Sequence, residues 1–347
     1  MSASRYKAAG VDIDAKYASV RAAKEAIRRT FTKGVLSDIG SFGGLFDLEA
    51  VGAGGDILVA STDGVGTKVK IASMLQRYDT VGHCIVHHSI NDILVQGARP
   101  LFFLDYIGTG KLDPGVIAQV LEGLADACQA AGLALLGGET AEMPGMYPDG
   151  DFEIVGTIIG AVARDRVLDG SRVREGDAIL ALPSSGLHTN GYSLARKILF
   201  DDMGLDPSAQ PAPLDRSVGD ALLAIHRNYF DLVHPLLEAG TSVHACAHIT
   251  GGGLFDNVPR VLPEGLGAVI DPEAVARPKI FDLLVEAGSV PREEAYRVFN
   301  MGFGFLLIVD AAHRDALLAA LRAQGEDARL CGHVVRGSGV ELAAMPS

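Results

Sequence analysis

Segments with strand and helix character alternate along this chain of 347 residues, and that alternation limits the folds open to it. Short apolar runs bounded by glycines predict strands, whereas apolar residues at helical spacing predict helices between them. The strands predicted in the first half are 56–62, 100–108, 133–139 and 152–163. The helices predicted there are 14–32, 83–97 and 113–131, and the Gly-rich segment 34–55 resembles a mobile loop. The fold class is therefore α/β or α+β.

A polar, charged stretch at 164–177 interrupts this pattern, and we place a domain boundary within it, giving domains 1–168 and 169–347. The length fits two domains of ordinary size. The strands predicted in the second domain are 178–183, 242–249, 266–270, 303–310 and 328–335. The helices predicted there are 190–203, 219–239, 278–287 and 311–323. Each half thus mixes strands and helices.

The overall charge argues against a nucleic-acid-binding protein. The formal net charge is −13, and the sequence lacks the extended basic runs that such proteins use. Four cysteines lie far apart with no C-x-x-C pair, which predicts reduced thiols. No apolar run approaches the length of a membrane span, and the N-terminus lacks the apolar core of a signal peptide. We therefore expect a cytoplasmic protein.

The stretch STDGVGTK at 61–68 follows a predicted strand and precedes a helical pattern. It is not a P-loop, because Thr67 separates Gly66 from Lys68. A Gly-rich turn between strand and helix presents backbone N–H groups to an anion, and Lys68 adds a positive charge. Asp63 can face a phosphate only through a cation such as Mg²⁺. The alternative is a tight turn in which Asp63 caps the helix.

Two further acidic stretches occur in the first half. HHSINDILVQGA places Asn91 and Asp92 on an apolar helix, where they can be metal ligands or satisfied polar groups. GGETAEMPGMY places Glu139 after two glycines at a strand end, which is where α/β sheets bind ligands. We interpret His83, His87 and His88 as structural.

Two Gly-containing stretches stand out in the second half. SSGLHTNGYS surrounds His188 with hydroxyl and amide side chains, so His188 is either a general acid–base or a solvated loop residue. HACAHITGGG ends in Gly251–Gly253, which can cradle a phosphate. His244, Cys246 and His248 would share one face of a strand, but no C-x-x-C spacing or fourth ligand supports zinc there.

Together these motifs outline an enzyme that uses ATP and Mg²⁺ without a P-loop, and that takes a second, anionic substrate. The motifs STDGVGTK, INDILVQGARPLFFLDY, LLGGETAEMPGMY, SSGLHTNGYSLARKIL, HITGGGLFDNVPRVLP and FNMGFG occur in this order. In that order, and over nearly the whole chain, the sequence resembles the AIR synthetase family of purine biosynthesis, the phosphoribosylformylglycinamidine cyclo-ligases.

The resemblance implies a fold and a reaction. The fold is two mixed α/β domains, with strands of the N-terminal domain forming the interface of a homodimer. The reaction is ATP-dependent closure of formylglycinamidine ribonucleotide to aminoimidazole ribonucleotide, releasing ADP and phosphate. The alternatives are another ATP-dependent member of the same superfamily, or a nucleotide-binding protein without catalysis. Since Cys is absent before Cys84, selenophosphate synthetase is disfavoured.

The resemblance also implies site residues. Asp63, Asp92 and Glu139 would bind Mg²⁺, and Asp92, His188 and Lys68 would be catalytic. The residues implied for ATP are Lys33, Asp63, Gly64, Gly66, Thr67, Lys68, Asn91, Gly137, Gly138 and Glu139. The residues implied for the ribonucleotide are Ser185, Gly186, His188, Thr189, Asn190, His248, Gly251, Gly252 and Gly253.

Overall fold

Two β-sheets, one in each half of the chain, organise the fold. The computed structural model describes residues 5–9, 28–29, 31–38, 41–52 and 54–343. The predicted helix over 14–32 therefore lies almost entirely outside the described residues. The predicted boundary at 168/169 falls between the last strand of the first sheet, which ends at Val162, and the first strand of the second, which begins at Ala178.

The first sheet has five strands in the order β1-β2-β5-β3-β4. Its strands are β1 (Gly44–Asp47), β2 (Ile57–Gly64), β3 (Arg99–Thr109), β4 (Ala134–Glu142) and β5 (Phe152–Val162). The β3–β4 pair is parallel, and the other pairs are antiparallel. The segment 34–55, which resembles a mobile loop in sequence, contains β1 and a 3₁₀ turn at Glu49–Val51. β1 pairs with β2 along its whole length, so this part of the segment belongs to the sheet.

Helices cover one face of this sheet. Among the described residues, the helices of the first half are α1 (Arg5–Ala8), α2 (Lys68–Leu75), α3 (Asp79–Leu94) and α4 (Pro114–Ala130). Asp113 caps α4 as predicted, since its Oδ1 accepts the N–H of Gly115 at 2.8 Å. Helix α3 packs on β2 and β5 and against α4, and almost every residue along it is buried. A helix buried on all sides must place its polar residues in partnered positions.

The second sheet has six strands in the order β11-β8-β10-β6-β9-β7. Its strands are β6 (Ala178–Pro183), β7 (Val243–His248), β8 (Leu266–Ile270), β9 (Phe303–Val309), β10 (Arg329–Arg336) and β11 (Gly339–Leu342). Its helices are α5 (Tyr192–Arg196) with a π-helical turn to Asp202, α6 (Val218–Leu222), α7 (Phe230–Glu238), α8 (Gly253–Asn257), α9 (Lys279–Gly288), α10 (Arg292–Val298) and α11 (Arg314–Ala323). The predicted helix over 219–239 is broken between α6 and α7.

Apolar clusters lie on both faces of the second sheet. All four cysteines are free and buried. Within the described part of the chain, no helix is both long and apolar enough to cross a lipid bilayer. The break between α6 and α7 turns the segment 223–229 towards α3, and that contact joins the two halves of the molecule.

Candidate functional site

The segment 223–229 is held against α3 by hydrogen bonds from side chains of the first domain. Asn91 donates from Nδ2 to the carbonyl of Arg227 at 2.8 Å, and its Oδ1 accepts the N–H of Tyr229 at 3.0 Å. His87 Nδ1 lies 2.7 Å from the carbonyl of His226. Because these backbone groups bond to the other domain, the segment does not continue the helix. Asn91, predicted to bind nucleotide, is fully buried and links the domains.

Lys68, predicted to contact phosphate, is also fully buried. Its Nζ donates to the carbonyls of His188 at 2.9 Å and Ala224 at 2.6 Å, and to Cys84 Sγ at 3.0 Å. Lys68 is the first residue of α2, and its side chain runs into the domain interface rather than towards solvent. All three donors of the ammonium group therefore have protein partners, so the structure places Lys68 as an interdomain tie rather than an open phosphate contact.

A second set of side chains forms around Asp92, near the C-terminal end of α3. Asp92 Oδ1 accepts from His248 Nδ1 at 2.8 Å, and Oδ2 lies 3.3 Å from Ser61 Oγ and 3.4 Å from His88 Nε2. The same His88 Nε2 lies 3.0 Å from Asp63 Oδ2. His88 thus sits between two carboxylates, although we interpreted it from the sequence as structural. Asp92 is buried, whereas the side chain of Asp63 is 51% exposed.

The protonation of this set follows from burial and charge. Burial disfavours a charged His88, but the charges of Asp63 and Asp92 outweigh it and raise the pKa of His88 to about 10. Burial likewise opposes ionisation of Asp92, but the pKa of Asp92 falls because His88 is charged and His248 donates to it. The pKa of Asp63 is lowered against partial burial by the same His88. At pH 7 an imidazolium therefore lies between two carboxylates.

Three further histidines stay neutral. Burial lowers the pKa of His188 and of His226 well below the usual value, and nearby cationic and imidazole groups add to the effect. Burial also lowers the pKa of His248, although its bond to Asp92 acts in the opposite direction. The rings of His188 and His226 stack with centroids 4.0 Å apart, and His226 Nε2 lies 3.0 Å from His248 Nε2. We did not single out His226 from the sequence.

The loop SSGLHTN lies over this cluster. His188 adopts a left-handed φ of 60°, and its Nε2 accepts the N–H of Ser185 at 3.2 Å. Thr189 Oγ1 lies 2.8 Å from His88 Nδ1, so the loop contacts the first domain directly. Asn300 holds the loop by donating from Nδ2 to the carbonyl of Gly186 at 2.8 Å. The predicted Ser185, Gly186, His188 and Thr189 are therefore brought together.

The second Gly cluster meets the same loop. A Cβ on Gly251 would lie 3.1 Å from Asn190 Oδ1, which places the predicted Gly251 and Asn190 side by side. Gly253 has a φ of 59°, and a Cβ there would lie 1.8 Å from the carbonyl oxygen of Tyr296. Close packing against α10 thus requires glycine at 253. Gly252 also has a positive φ, 94°.

The turn between β2 and α2 borders the site. Asp63 is the last residue but one of β2. Its Oδ1 accepts the N–H of Gly64 at 2.7 Å, and it does not cap α2. Gly66 is exposed, with open space around the position of a Cβ. Thr67 Oγ1 lies 3.1 Å from Ser193 Oγ of the second domain. The turn therefore keeps an open backbone while its end is docked on α5.

Glu139 is not brought to Asp63 and Asp92. In the register of the first sheet, Asp63 pairs with Gly156, and Gly156 pairs with Asp105, whereas Glu139 pairs with Tyr106. Since side chains alternate between faces along a strand, Glu139 points to the opposite face from Asp63, three strands away. The predicted Asp63–Asp92–Glu139 set is thus not assembled within one chain.

The strand that carries Glu139 also carries the predicted Gly137 and Gly138. A Cβ on Gly138 would lie 2.3 Å from Asp105 Oδ1, so glycine there makes room for the carboxylate of Asp105. Lys33 is exposed in the segment 31–38. His244 pairs with Asp177 at 2.7 Å, and Cys246 lies in an apolar cluster, so neither joins His248 in a metal site.

Comparison with known proteins identifies the family. Residues 43–162 match the family model "AIR synthase related protein, N-terminal domain", and residues 174–344 match "AIR synthase related protein, C-terminal domain". The chain is 49% identical to the phosphoribosylformylglycinamidine cyclo-ligase of Trichlorobacter lovleyi over 95% of this chain and 94% of that one. It is 47% identical to the protein of that name from Geobacillus kaustophilus, over 98% of both chains.

Solved structures share the fold at low sequence identity. Thiamine-monophosphate kinase from Stenotrophomonas maltophilia superposes with a TM-score of 0.63 at 18% identity, covering 91% of this chain and 93% of that one. Hydrogenase maturation protein HypE in complex with ATP superposes with a TM-score of 0.60 at 22% identity, covering 82% of both. The chain belongs to the AIR synthase related family, among the phosphoribosylformylglycinamidine cyclo-ligases, which are carbon–nitrogen ligases.

Proposed function

We propose that the chain closes formylglycinamidine ribonucleotide to aminoimidazole ribonucleotide by transferring the γ-phosphoryl group of ATP to the formamide oxygen. A formamide oxygen is a poor leaving group, and phosphorylation converts it into one. The amidine nitrogen then attacks the same carbon, the carbon–oxygen bond breaks, and phosphate leaves with that oxygen. Such a reaction depends above all on positioning and charge neutralisation.

One observation carries the proposal: the open turn at Asp63–Gly66 and the SSGLHTN loop, one from each domain, meet at a single interface. Thr67, at the end of the turn, lies 3.1 Å from Ser193 of α5, the helix that follows the loop, and His88 joins Asp63 to Thr189 of the loop. A nucleotide at the turn and a ribonucleotide at the loop would therefore lie next to each other. Proteins of this fold have been solved with ATP and with AMPPCP, which supports nucleotide binding here.

Mg²⁺ fits Asp63 better than the other predicted ligands. Mg²⁺ bound with a nucleotide takes one or two carboxylates plus phosphate oxygens and water. Asp63 is half exposed beside an open backbone, whereas Asp92 is buried. We therefore propose Asp63 as the cation ligand and Asp92 as the group that orients His248 and His88. When bound, the cation neutralises phosphate charge.

His188 suits a proton-accepting role. Ring closure removes a proton from the attacking nitrogen, and only a neutral imidazole can take it. Burial holds the pKa of His188 well below its usual value, so the ring is neutral, and its Nε2 accepts the Ser185 N–H at 3.2 Å. A substrate nitrogen that takes the place of the Ser185 N–H would donate its proton to His188 Nε2. We propose His188 Nε2 for this step.

We propose that the ribonucleotide lies along the second-domain part of the site, between the SSGLHTN loop and Gly251–Gly253. Asn190 lies beside Gly251, and the polar groups of both segments face the same neighbourhood. Lys68 acts here indirectly, since its ammonium group holds the carbonyl of His188. Its proposed role changes from phosphate contact to positioning of the catalytic loop.

We propose a homodimer through the uncovered face of the first sheet. Residues that alternate with the helix-facing ones on β2, β3 and β5 are apolar and only half buried in the single chain: Leu58, Phe102, Leu104, Val155 and Ile159. On the edge strand, Leu136 is 63% exposed. An apolar sheet face of this kind is normally covered. Glu139 lies on this face, so any role for it at a nucleotide requires a partner subunit.

Incubation with ATP, Mg²⁺ and formylglycinamidine ribonucleotide tests the proposed reaction. The aminoimidazole product carries an aromatic amine that can be diazotised and measured colorimetrically, alongside ADP. ADP release without the amine would favour another phosphoryl acceptor, as in other ATP-dependent members of the superfamily. ATP binding by calorimetry without any turnover would favour a nucleotide-binding protein, and either result would overturn the proposal.

A further inference from the structure

A buried acidic side chain that the proposed reaction does not use is connected to the SSGLHTN loop through one arginine. Glu326 belongs to the turn between α11 and β10, and its side chain is 2% exposed. Its carboxylate accepts from both terminal nitrogens of Arg227, with Oε1 3.1 Å from Nη1 and Oε2 bonded to Nη2. Paired contacts of this kind fix the direction of a guanidinium as well as its distance. Glu326 therefore determines where the Arg227 side chain points.

Arg227 connects this carboxylate to the start of the loop. Its Nη1 also donates to the carbonyl oxygen of Pro183 at 3.3 Å. Pro183 is the last residue of β6, and Ser184, the first residue of the loop, follows it directly. The Tyr229 hydroxyl donates to the same carbonyl at 2.8 Å, and the Arg227 guanidinium lies 5.3 Å from the centroid of the Tyr229 ring. Two side chains of the segment 223–229 thus hold the peptide from which the loop starts.

The FNMGFG motif, for which the proposed reaction gives no role, shapes this contact. A Cβ on Gly304 would lie 1.7 Å from the Tyr229 hydroxyl oxygen, so glycine there leaves room for the hydroxyl to reach Pro183. Asn300 of the same motif accepts from Ser184 Oγ at 2.9 Å. Two separate parts of the second domain therefore hold the start of the loop.

The segment 223–229 also carries the ring that packs on His188. His226 precedes Arg227, and its ring stacks on the ring of His188 with centroids 4.0 Å apart. A buried ion pair is weak evidence of stabilisation, because desolvation of the two groups offsets their attraction. From these contacts we infer that Glu326 is a positioning residue for His188, acting through Arg227. The inference rests on the proposed function, in which His188 takes the proton.

Steady-state kinetics of Glu326→Gln tests the inference, with aminoimidazole formation as the assay. Glutamine keeps the shape of the side chain and removes its charge, and Arg227, whose side chain is 33% exposed, remains solvated. We expect kcat to fall about 10–100-fold, because small displacements of a catalytic group are costly. KM for ATP should change less than about twofold, since the turn at Asp63–Gly66 belongs to the other domain. Glu238→Gln, which removes an exposed carboxylate 2.8 Å from Arg166, is the matched control and should keep the wild-type kcat.

A double-mutant cycle tests the route through Arg227. Arg227→Met leaves the Glu326 carboxylate buried without its guanidinium, so it should lower stability, and adding Glu326→Gln should restore stability in urea denaturation. In the Arg227→Met chain, however, Glu326→Gln should not lower kcat further. Should Arg227→Met alone fail to fold, the double variant is compared with Glu326→Gln, and the two kcat values should agree within about threefold.

The kinetic results separate positioning from general loosening of the fold. The inference is overturned if Glu326→Gln keeps the wild-type kcat, or if KM for ATP rises as much as kcat falls. It is also overturned if the losses from Glu326→Gln and Arg227→Met multiply in the double variant, or if the double variant loses a further tenfold or so relative to Glu326→Gln. A wild-type chain that forms no aminoimidazole would overturn the proposed function, and the inference with it.

Discussion

Replacing His88 with glutamine should remove a contribution to stability that the wild-type chain loses in mild alkali. In the folded chain the His88 imidazolium lies 3.0 Å from Asp63 and 3.4 Å from Asp92, and its pKa is raised to about 10. In the unfolded chain the pKa is about 6.5. A folded-state pKa above the unfolded one stabilises the protein fully below about pH 6.5, and the contribution disappears as pH rises through 10.

The magnitude follows from these two pKa values. The linkage relation gives about 4 kcal/mol of stabilisation at pH 7 and about 1 kcal/mol at pH 9, a loss of about 2–3 kcal/mol. His88→Gln carries no titrating group at this position, so its stability should lack this slope. The quantity to compare is therefore the difference in unfolding free energy between wild type and variant, at pH 7 and at pH 9.

Urea denaturation followed by circular dichroism measures that difference, with EDTA present so that no cation replaces the imidazolium. The wild-type advantage should shrink by about 2–3 kcal/mol from pH 7 to pH 9. His333→Gln, at an exposed site, should show no such change. An advantage that stays constant within about 0.5 kcal/mol between the two pH values would refute the assignment of a charged His88.

Three further predictions concern single residues. Lys68→Met leaves two buried carbonyls without a donor, and should lower the unfolding free energy measured by urea denaturation by about 2–5 kcal/mol. The control Lys70→Met removes a half-exposed ion pair and should lower it by less than about 1 kcal/mol. Equal effects of the two substitutions would contradict the interdomain role of Lys68. Asp63→Asn should lower turnover about 10²–10³-fold and weaken the Mg²⁺ dependence of the reaction. Turnover at the wild-type rate would contradict the proposal that Asp63 is a cation ligand. Gly253→Ala should lower the melting temperature sharply, because its Cβ would lie 1.8 Å from the Tyr296 carbonyl oxygen; an unchanged melting temperature would refute that close contact.

Local patterns were sufficient to predict most elements of the fold. The strand at 178–183 and the capped helix after Asp113 follow from apolar runs and from N-cap chemistry, both of which depend on neighbouring residues only. The break between α6 and α7 was not predicted. The apolar spacing of this segment is helical. The helix ends because the carbonyls of Ala224, His226 and Arg227 bond to side chains of the other domain, which is a tertiary effect.

The site was predictable only in part for the same reason. Motif order located Asp63, Asp92 and His188, and the structure places these residues around one interface. His226 has no motif of its own, and its position among the histidines depends on the broken helix. The family resemblance grouped Glu139 with Asp63, but strand register directs the two side chains to opposite faces of the sheet. Register depends on pairing between distant segments, which a single sequence does not display.

The central claim is that ATP phosphorylates the formamide oxygen before the ring closes. Substrate carrying ¹⁸O in the formyl group tests it, with the released phosphate analysed by mass spectrometry. The account predicts one ¹⁸O atom in each phosphate, since that oxygen leaves bonded to phosphorus. Aminoimidazole formed together with phosphate that contains no ¹⁸O would contradict it.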